Sequence, residues 1–366
     1  MNRAPTPPED RVVALDALRG VALFGVCLVN VVTGMRMSLF AWLLQPHTND
    51  GFWNVAFDDV VLVFFEQKAM VVFSLLFGVG LGMMRERAGT LPLVRRYAAL
   101  LVVGLLHAIF VWNGDILTLY AVCAFVTLPL LALSPRTLAI VGFALIALYL
   151  APVSLLPFPS PEAMARDAQE ASRTYPHGTM RAIVVFRLGE TASFILPLVA
   201  SVVPRTIGLF ALGAAARGIA RDPPPWLARF ATIAMPIGVL LAIADHLAAA
   251  RVVDFGRIPL GAMAPIVLGT AYASTVLVLF PRARRVASVF APIGRMAFTC
   301  YLLQSIAGVL IWQSPGLALM DRTTSLEAGA IATAVFAAQV VFARMWLARF
   351  RFGPLERAWR YATYLA

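Results

Sequence analysis

Residues 105–120 read LLHAIFVWNGDILTLY, two apolar segments joined by a polar turn. His107 stands five residues before the Trp-Asn-Gly turn, and Asp115 follows that turn directly. Apolar runs lie on both sides, so the pattern predicts two lipid-embedded helices joined by a tight turn. A histidine and a carboxylate are costly in such surroundings unless they are paired or used. The hairpin therefore also predicts a functional site, and Asp115 equally suits an N-cap of the second helix.

The composition extends this interpretation to the whole chain. Of the 366 residues, 60% are hydrophobic and 13% are charged, whereas soluble domains carry about 25% charged residues. Apolar runs of about 20 residues recur along the sequence and are typical of membrane-spanning helices. We expect an all-α, polytopic transmembrane bundle of about ten spans, forming a single integral membrane domain over residues 1–366.

The distribution of arginine predicts the orientation. The net charge is +11, but the arginines lie in short connections between apolar runs, which does not indicate nucleic acid binding. An even number of spans puts both termini on one side. Assigning them to the cytoplasm gives that side about 18 arginines against about eight outside. Residues 157–190 then form a long extracytoplasmic loop that is partly helical, and residues 351–366 form a cytoplasmic interfacial tail.

Lys68 is the only lysine, and it lies inside the second apolar run. Its side chain could snorkel to the interface, although the reach from that depth is long. Burial against a carboxylate or an anionic ligand is the favoured alternative. On a continuous helix Glu66 would point off another face, which leaves Asp115, Asp59 or a substrate as the partner.

Four arginines are candidates for a phosphate-binding mouth on the inner side. Arginine suits phosphate because its planar guanidinium donates two parallel hydrogen bonds. The alternative is an ordinary arginine-rich membrane edge, with a local ion pair between Asp16 and the arginine three residues later. The four candidates are Arg19, Arg95, Arg96 and Arg295.

Further candidates are polar or aromatic side chains within the apolar runs. Asn30 and Gln304 are mid-span amides that either join helices or contact a ligand, and Trp112 and Tyr120 of the hairpin are expected substrate contacts. The histidines and the three cysteines lack metal-ligand spacing, so no metal site is expected. The sequence shows no glycine-rich phosphate loop and no nucleophile elbow, which argues against ATPase, redox or serine-hydrolase chemistry.

Five stretches, in this order, resemble the YeiB-like family of bacterial inner-membrane proteins. They are LDALRGVALFGVCLVN (15–30), KAMVVFSLLFGVG (68–80), LLHAIFVWNGDILTLYA (105–121), GRMAFTCYLLQS (294–305) and GPLERAWR (353–360). Two positions depart from the family's pattern: Cys300 stands where asparagine is frequent, and Ala69 where an aromatic residue is frequent. The resemblance implies a multi-pass protein of the bacterial inner membrane.

The family in turn resembles, distantly, the transmembrane acyltransferases, which include the heparan-glucosaminide acetyltransferase. This resemblance implies transfer of an acyl group, in the first instance acetyl, from cytosolic acyl-CoA to a sugar, lipid or small-molecule acceptor outside. His107 would be the base or acyl carrier, Asp115 would orient it, and Lys68 would hold an anionic group. Acyl-CoA would be a co-substrate, and no tightly bound cofactor is expected. His47, in the loop after the first span, corresponds to the position of an essential histidine in the heparan enzyme.

A second hypothesis comes from a different class of protein. Lys68, His107 and Asp115 could instead form the substrate or proton site of a transporter or of a lipid- or quinone-binding protein. A transporter should show helices broken near the middle of the membrane, whereas an acyltransferase should show an inner funnel that ends near His107. The sequence leaves open whether the protein is an enzyme, the acceptor, the acyl length, whether His107 and Asp115 touch and whether the chain forms a homo-oligomer.

Overall fold

The structure is a computed structural model that describes residues 13–44, 51–151, 159–219, 222–256 and 258–364. These residues form helices and connecting turns, and no strand occurs among them. His47 lies outside the described residues. The helices are α1 (Val13–Asn30), which continues into a π-helical turn (Val31–Met35), α2 (Leu39–Leu44), α3 (Phe52–Phe64), α4 (Lys68–Ala88), α5 (Thr90–Phe110), α6 (Leu117–Leu130), α7 (Pro135–Leu150), α8 (Pro161–His177), α9 (Met180–Ala215), α10 (Pro225–Ala249), α11 (Leu260–Leu279), α12 (Arg284–Arg295), α13 (Ala297–Trp312), α14 (Ser325–Arg349) and α15 (Pro354–Tyr364).

The all-helical membrane bundle is confirmed. In the described part of the chain, six helical stretches are long and apolar enough to cross a membrane, and the number rises to eight if two bent pairs each form one span. The bends are 71° within α9 and 77° between α12 and α13. Helices α6 and α7 are apolar but shorter. The count of ten spans and the cytoplasmic termini stay predictions.

The first apolar run of the sequence forms one helical stretch, Val13–Met35, which is long and apolar enough to cross a membrane. About 72% of its apolar window is buried inside the bundle, because the helix packs against α4, α12 and α14. A helix that is apolar on every side is expected at the centre of a bundle. The first span therefore forms the core around which the other helices are arranged.

The second expected span is broken. The stretch Phe52–Ala88 is long and apolar enough to cross a membrane, but α3 ends at Phe64 and α4 begins at Lys68. Between them Gln67 has a φ of +60°. The carbonyls at the end of α3 lose their helical partners and need donors from elsewhere in a lipid environment. The Lys68 ammonium donates to the Leu62 carbonyl at 2.7 Å, so the lysine caps the helix that precedes it.

Helix starts follow local capping rules. Ser134 caps α7, with its hydroxyl accepting from the Thr137 amide at 3.2 Å and Pro135 in the first helical position. The stretch 157–190, expected as a long, partly helical loop, contains α8 and the first turns of α9. The tail contains α15, and this helix packs against α5.

Candidate functional site

His107 and Asp115 form a buried pair. His107 lies in the last turn of α5, and Asp115 stands two residues before α6, so the hairpin brings the two side chains together. Nδ1 of His107 is 2.8 Å from Oδ1 of Asp115, and both side chains are 1% exposed. The question of whether the two residues touch is thereby answered.

Asp115 also caps α6. Its Oδ1 accepts from the Leu117 amide at 3.1 Å, and its Oδ2 accepts from the Thr118 amide at 2.6 Å. A carboxylate that accepts these bonds serves as an acceptor for His107 as well, which puts the imidazole proton on Nδ1. The two interpretations of Asp115, as helix cap and as partner of His107, therefore hold together.

The other imidazole nitrogen is buried and unpaired. Among the described residues, Nε2 of His107 has no hydrogen-bond partner. With the proton on Nδ1, Nε2 carries the lone pair that a general base or an acyl carrier requires. Leaving such a group unpaired in the protein interior costs free energy of about 1–3 kcal/mol. A hydrogen bond from a ligand group to Nε2 would remove this cost.

Tyr301 of α13 stands beside this pair. Its ring centre is 5.5 Å from that of His107. Its hydroxyl accepts from the Ile116 amide at 3.3 Å and donates to the Gly114 carbonyl at 3.5 Å. Tyr301 thus ties α13 to the turn of the hairpin and fixes the position of the residues that hold His107.

A cavity of about 340 Å³ lies next to Tyr301. This volume falls in the range of small-molecule sites, about 300–1,000 Å³. Four arginines and two acidic residues line it together with tyrosines and apolar side chains, so the lining carries a positive excess. The charged lining residues are Arg19, Arg96, Arg295, Arg360, Asp16 and Glu356.

All five stretches that carry the family resemblance contribute to this cavity. The first supplies Asp16 and Arg19, the second supplies the wall around Phe77 and Gly80, and the hairpin supplies Ile116, Leu117 and Tyr120. The fourth supplies Arg295 and Tyr301, and the fifth supplies Glu356, Trp359 and Arg360. Stretches that are far apart in sequence therefore surround one space.

The acidic residues in the cavity are already paired. Oδ1 of Asp16 accepts from the Arg19 guanidinium at 2.9 Å, and Glu356 accepts from the amide and hydroxyl of Thr299 at 3.0 and 2.6 Å. Within the described part of the chain, Nε of Arg295 is buried without a partner. Arg295 therefore retains a donor for an anionic ligand.

Three of the four predicted phosphate-binding arginines meet in this cavity, and the fourth does not. Arg95 is exposed and is not among the lining residues, because it faces away from its neighbour on the same helix turn. Arg360 was not predicted. The tail that carries it was expected to lie on the membrane surface, and only its helical packing against α5 brings it inward.

The four expected substrate contacts have different positions. Tyr120 lines the cavity, where its hydroxyl bonds Ser74 at 2.8 Å. Gln304 donates to Gln339 of α14 at 2.9 Å and joins two helices. Trp112 is buried in an apolar cluster, and Asn30 stands at the start of the π-helical turn. Neither Trp112 nor Asn30 lines the cavity.

Lys68 contacts residues at the helix break rather than the His107 pair. Its ammonium bonds the Leu62 carbonyl, and its electrostatic partners are Glu66 and Asp245. The expectation that Glu66 points away assumed a continuous helix, and it is wrong because the helix is interrupted between them. A catalytic role for Lys68 stays a prediction.

A buried polar network at the turn of the hairpin was missed. Glu190 accepts from the Asn113 side chain at 2.9 Å and from the Tyr175 hydroxyl at 2.6 Å. Arg187 donates to the Ile109 carbonyl and to Gln313, both at 3.0 Å. An arginine and a glutamate three residues apart in the stretch expected as a loop were the available signal. The network holds the turn against α8 and α9.

Known proteins resemble the chain along nearly its full length. It is 32% identical over 403 residues to "Uncharacterized protein YxaH" of Bacillus subtilis (strain 168), covering 99% of this chain and 96% of the relative. It is 28% identical to "Uncharacterized protein YeiB" of Escherichia coli (strain K12), covering 97% and 96%. It is 26% identical to an "Uncharacterized 39.9 kDa protein in amylase 3'region" of Bacillus acidopullulyticus, covering 98% and 96%.

A family match adds to these relatives. Residues 219–366 match the family described as "Protein of unknown function (DUF418)". This region contains α10 to α15 and supplies Arg295, Tyr301 and Arg360 to the cavity, whereas the full-length relatives also cover the hairpin. The chain belongs to the YeiB-like DUF418 family.

Proposed function

We propose that this multi-pass protein is an acyltransferase of the bacterial inner membrane. It moves an acyl group, in the first instance acetyl, from cytosolic acyl-CoA to a hydroxyl or amine acceptor. The observation that carries the proposal is the unpartnered, buried Nε2 of His107. His107 does not itself line the arginine-lined cavity but lies beside Tyr301, which does. The distant resemblance to transmembrane acyltransferases supports it, although a shared fold does not by itself fix a reaction.

The cavity has the chemistry that acyl-CoA requires. Arg19, Arg96, Arg295 and Arg360 suit the phosphates of the nucleotide end, and the apolar wall suits the linear pantetheine arm. Arg96 is in the first turns of α5, and His107 is in its last turn. At about 1.5 Å per residue, the helix separates them by about 17 Å. A linear arm that carries the thioester suits such a distance between phosphate-binding and reacting groups.

In the proposed reaction His107 is the general base, and Asp115 orients it. Asp115 holds the Nδ1 proton, so Nε2 accepts the proton of the acceptor as its oxygen or nitrogen attacks the thioester carbonyl. The carbon–sulfur bond breaks, and the thiolate takes the proton from the imidazolium to leave as coenzyme A thiol. The acyl group ends on the acceptor as an ester or amide. The Asp115 carboxylate accepts from Nδ1 throughout and stabilises the transient imidazolium.

The test uses the purified full chain in nanodiscs with labelled acetyl-CoA and a membrane extract. The wild type should bind acetyl-CoA and transfer label, and His107→Ala should retain binding while losing transfer. Gly80→Leu should abolish binding, because a side chain there enters the cavity: a Cβ on Gly80 meets nothing within 4 Å.

Gly189→Leu is the matched control. Gly189 is also a helical glycine whose added Cβ meets nothing within 4 Å, but it does not line the cavity. Binding should be unchanged in this variant. If the wild type binds no acetyl-CoA and transfers no label to any component of the extract, the acyltransferase proposal is rejected.

A second candidate function, transport of a small solute, is favoured by the break between α3 and α4. Discontinuous spans with charged residues at the break are typical of substrate or ion sites in secondary transporters. Lys68 lies at this break, and Glu66 and Asp245 interact with it electrostatically. Proteoliposomes loaded with a metabolite panel test it, with Asp245→Asn as the variant. Efflux equal to that of protein-free vesicles for every metabolite would rule it out.

A further inference from the structure

An apolar groove runs along the seam between α5 and α13, outside the arginine-lined cavity. Its two edges are formed by residues that are between 38% and 54% exposed: Leu106 and Phe110 of α5, and Leu303 and Ile306 of α13. In a membrane-spanning bundle such exposed apolar side chains face lipid. The groove therefore opens sideways into the bilayer.

His107 is the ionisable residue of this groove. The other lining residues are apolar except Thr299, whose hydroxyl donates to Glu356 and accepts from the Leu355 amide. His107 is 2% exposed, and its Nε2 has no partner within the described residues. His107 thus brings one buried, unpartnered nitrogen to otherwise apolar surroundings.

The groove and the cavity differ in the charged residues that line them. No arginine or lysine is among the groove's lining residues, whereas four arginines line the cavity. A phosphate headgroup at the depth of His107 would therefore lack a cation and would be costly to desolvate. A hydrocarbon chain that ends in a neutral hydroxyl or amine fits the groove, because its polar end meets Nε2 and its chain meets apolar side chains.

We infer that the acceptor of the acyl group is lipid-borne: a long-chain molecule whose hydroxyl or amine reaches Nε2 of His107 from the bilayer through the α5–α13 groove. The inference rests on the proposed function and names its acceptor class. Tyr301 lines the cavity and lies beside His107, so the thioester and the acceptor approach the imidazole from two different spaces. Transfer then requires no polar acceptor to enter the arginine-lined cavity.

The test is photo-crosslinking of the full chain in nanodiscs with a diazirine-bearing long-chain alcohol. Labelling should concentrate on the peptide that contains Leu302–Ile306, and excess unlabelled long-chain alcohol should compete with it. Leu303→Trp fills the groove and should reduce labelling by about tenfold, equivalent to about 1.4 kcal/mol. Leu240→Trp is the matched control, because Leu240 is 66% exposed on α10 and does not line the groove.

Two outcomes would overturn the inference. One is labelling that does not depend on the groove, because it is spread evenly over the lipid-facing helices or is unchanged by Leu303→Trp. The other is acetyl transfer that depends on His107 but delivers the label to water-soluble products and none to the organic phase. Either result leaves the acyltransferase proposal standing, since acetyl-CoA binding and its loss in Gly80→Leu are measured separately.

Discussion

Nδ1 of His107 lies 2.8 Å from Oδ1 of Asp115, and the same carboxylate caps the helix that follows it. One side chain thus fixes both the backbone of the hairpin and the tautomer of the imidazole. Tyr301 and Glu190 then hold the turn from other helices. The two uses of Asp115 can be separated by substitution.

Asp115→Asn should remove the base and keep the fold. Asparagine is as good an N-cap as aspartate, but its amide group donates to Nδ1 and moves the imidazole proton to Nε2. We expect acetyl transfer to fall by about 10²–10⁴-fold, the contribution of a general base, with the melting temperature nearly unchanged. Asp115→Ala loses the cap as well and should lower both quantities. Full transfer in Asp115→Asn would mean that His107 does not act as the base.

Arg295→Gln should weaken acetyl-CoA binding. Arg295 lines the cavity and has an unpartnered Nε among the described residues, and a hydrogen bond to a charged group is worth about 1.5–3 kcal/mol. The Kd should rise by about tenfold or more, and added salt should reduce the difference. Arg95→Gln, at an exposed position outside the cavity, should leave the Kd unchanged. An equal rise in Kd in both variants would mean that the arginines act through the general positive charge of this side of the protein and that Arg295 makes no specific contact with acetyl-CoA.

Lys68→Met tests whether the lysine is structural. The substitution keeps the volume but leaves the Leu62 carbonyl without its donor, at a cost of about 1–3 kcal/mol. We expect a lower melting temperature and a smaller folded fraction, with unchanged transfer per acetyl-CoA binding site. Unchanged stability together with lost transfer would instead indicate that Lys68 contacts the substrate.

Glu190→Ala should loosen the hairpin. Burial and the neighbouring Glu190 raise the pKa of Tyr175, so its hydroxyl stays protonated and donates to the carboxylate. Removing Glu190 leaves Tyr175 and Asn113 unpaired, at about 1–3 kcal/mol. Thermal unfolding should show a larger loss for Glu190→Ala than for Glu190→Gln, which retains an acceptor. If the two variants melt alike, the network contributes little to stability.

Local patterns were sufficient for part of the fold and the site. Apolar runs predicted the membrane-spanning helices, and the polar turn between two of them marked His107 and Asp115 as candidate site residues. Their separation of eight positions left open whether the two side chains touch, because that depends on how α5 and α6 are placed by the turn. The features that were predicted depend on residues close in sequence.

The remaining features depend on tertiary packing. Arg360 reaches the cavity only because α15 docks on α5, and the Gln304 side chain donates to Gln339, 35 residues later. The break falls at the polar residues Glu66, Gln67 and Lys68 in an otherwise apolar run. Hydrophobic periodicity alone does not show that the helix ends there. The groove is likewise formed by α5 and α13, whose relative position no local pattern specifies.

The glycines of α4 provide a last test of the packing, because two neighbours on one helix should respond in opposite ways. A Cβ on Gly78 would lie 2.2 Å from the Phe210 carbonyl oxygen of α9, whereas a Cβ on Gly80 would meet nothing within 4 Å. Gly78→Ala should therefore push α4 and α9 apart and lower the yield of folded protein. Gly80→Ala should be tolerated or slightly stabilising, since alanine is favoured over glycine in a helix by about 1 kcal/mol. Size-exclusion profiles and melting temperatures of the two variants measure the difference. Equal stability would show that α4 and α9 do not pack as closely as described.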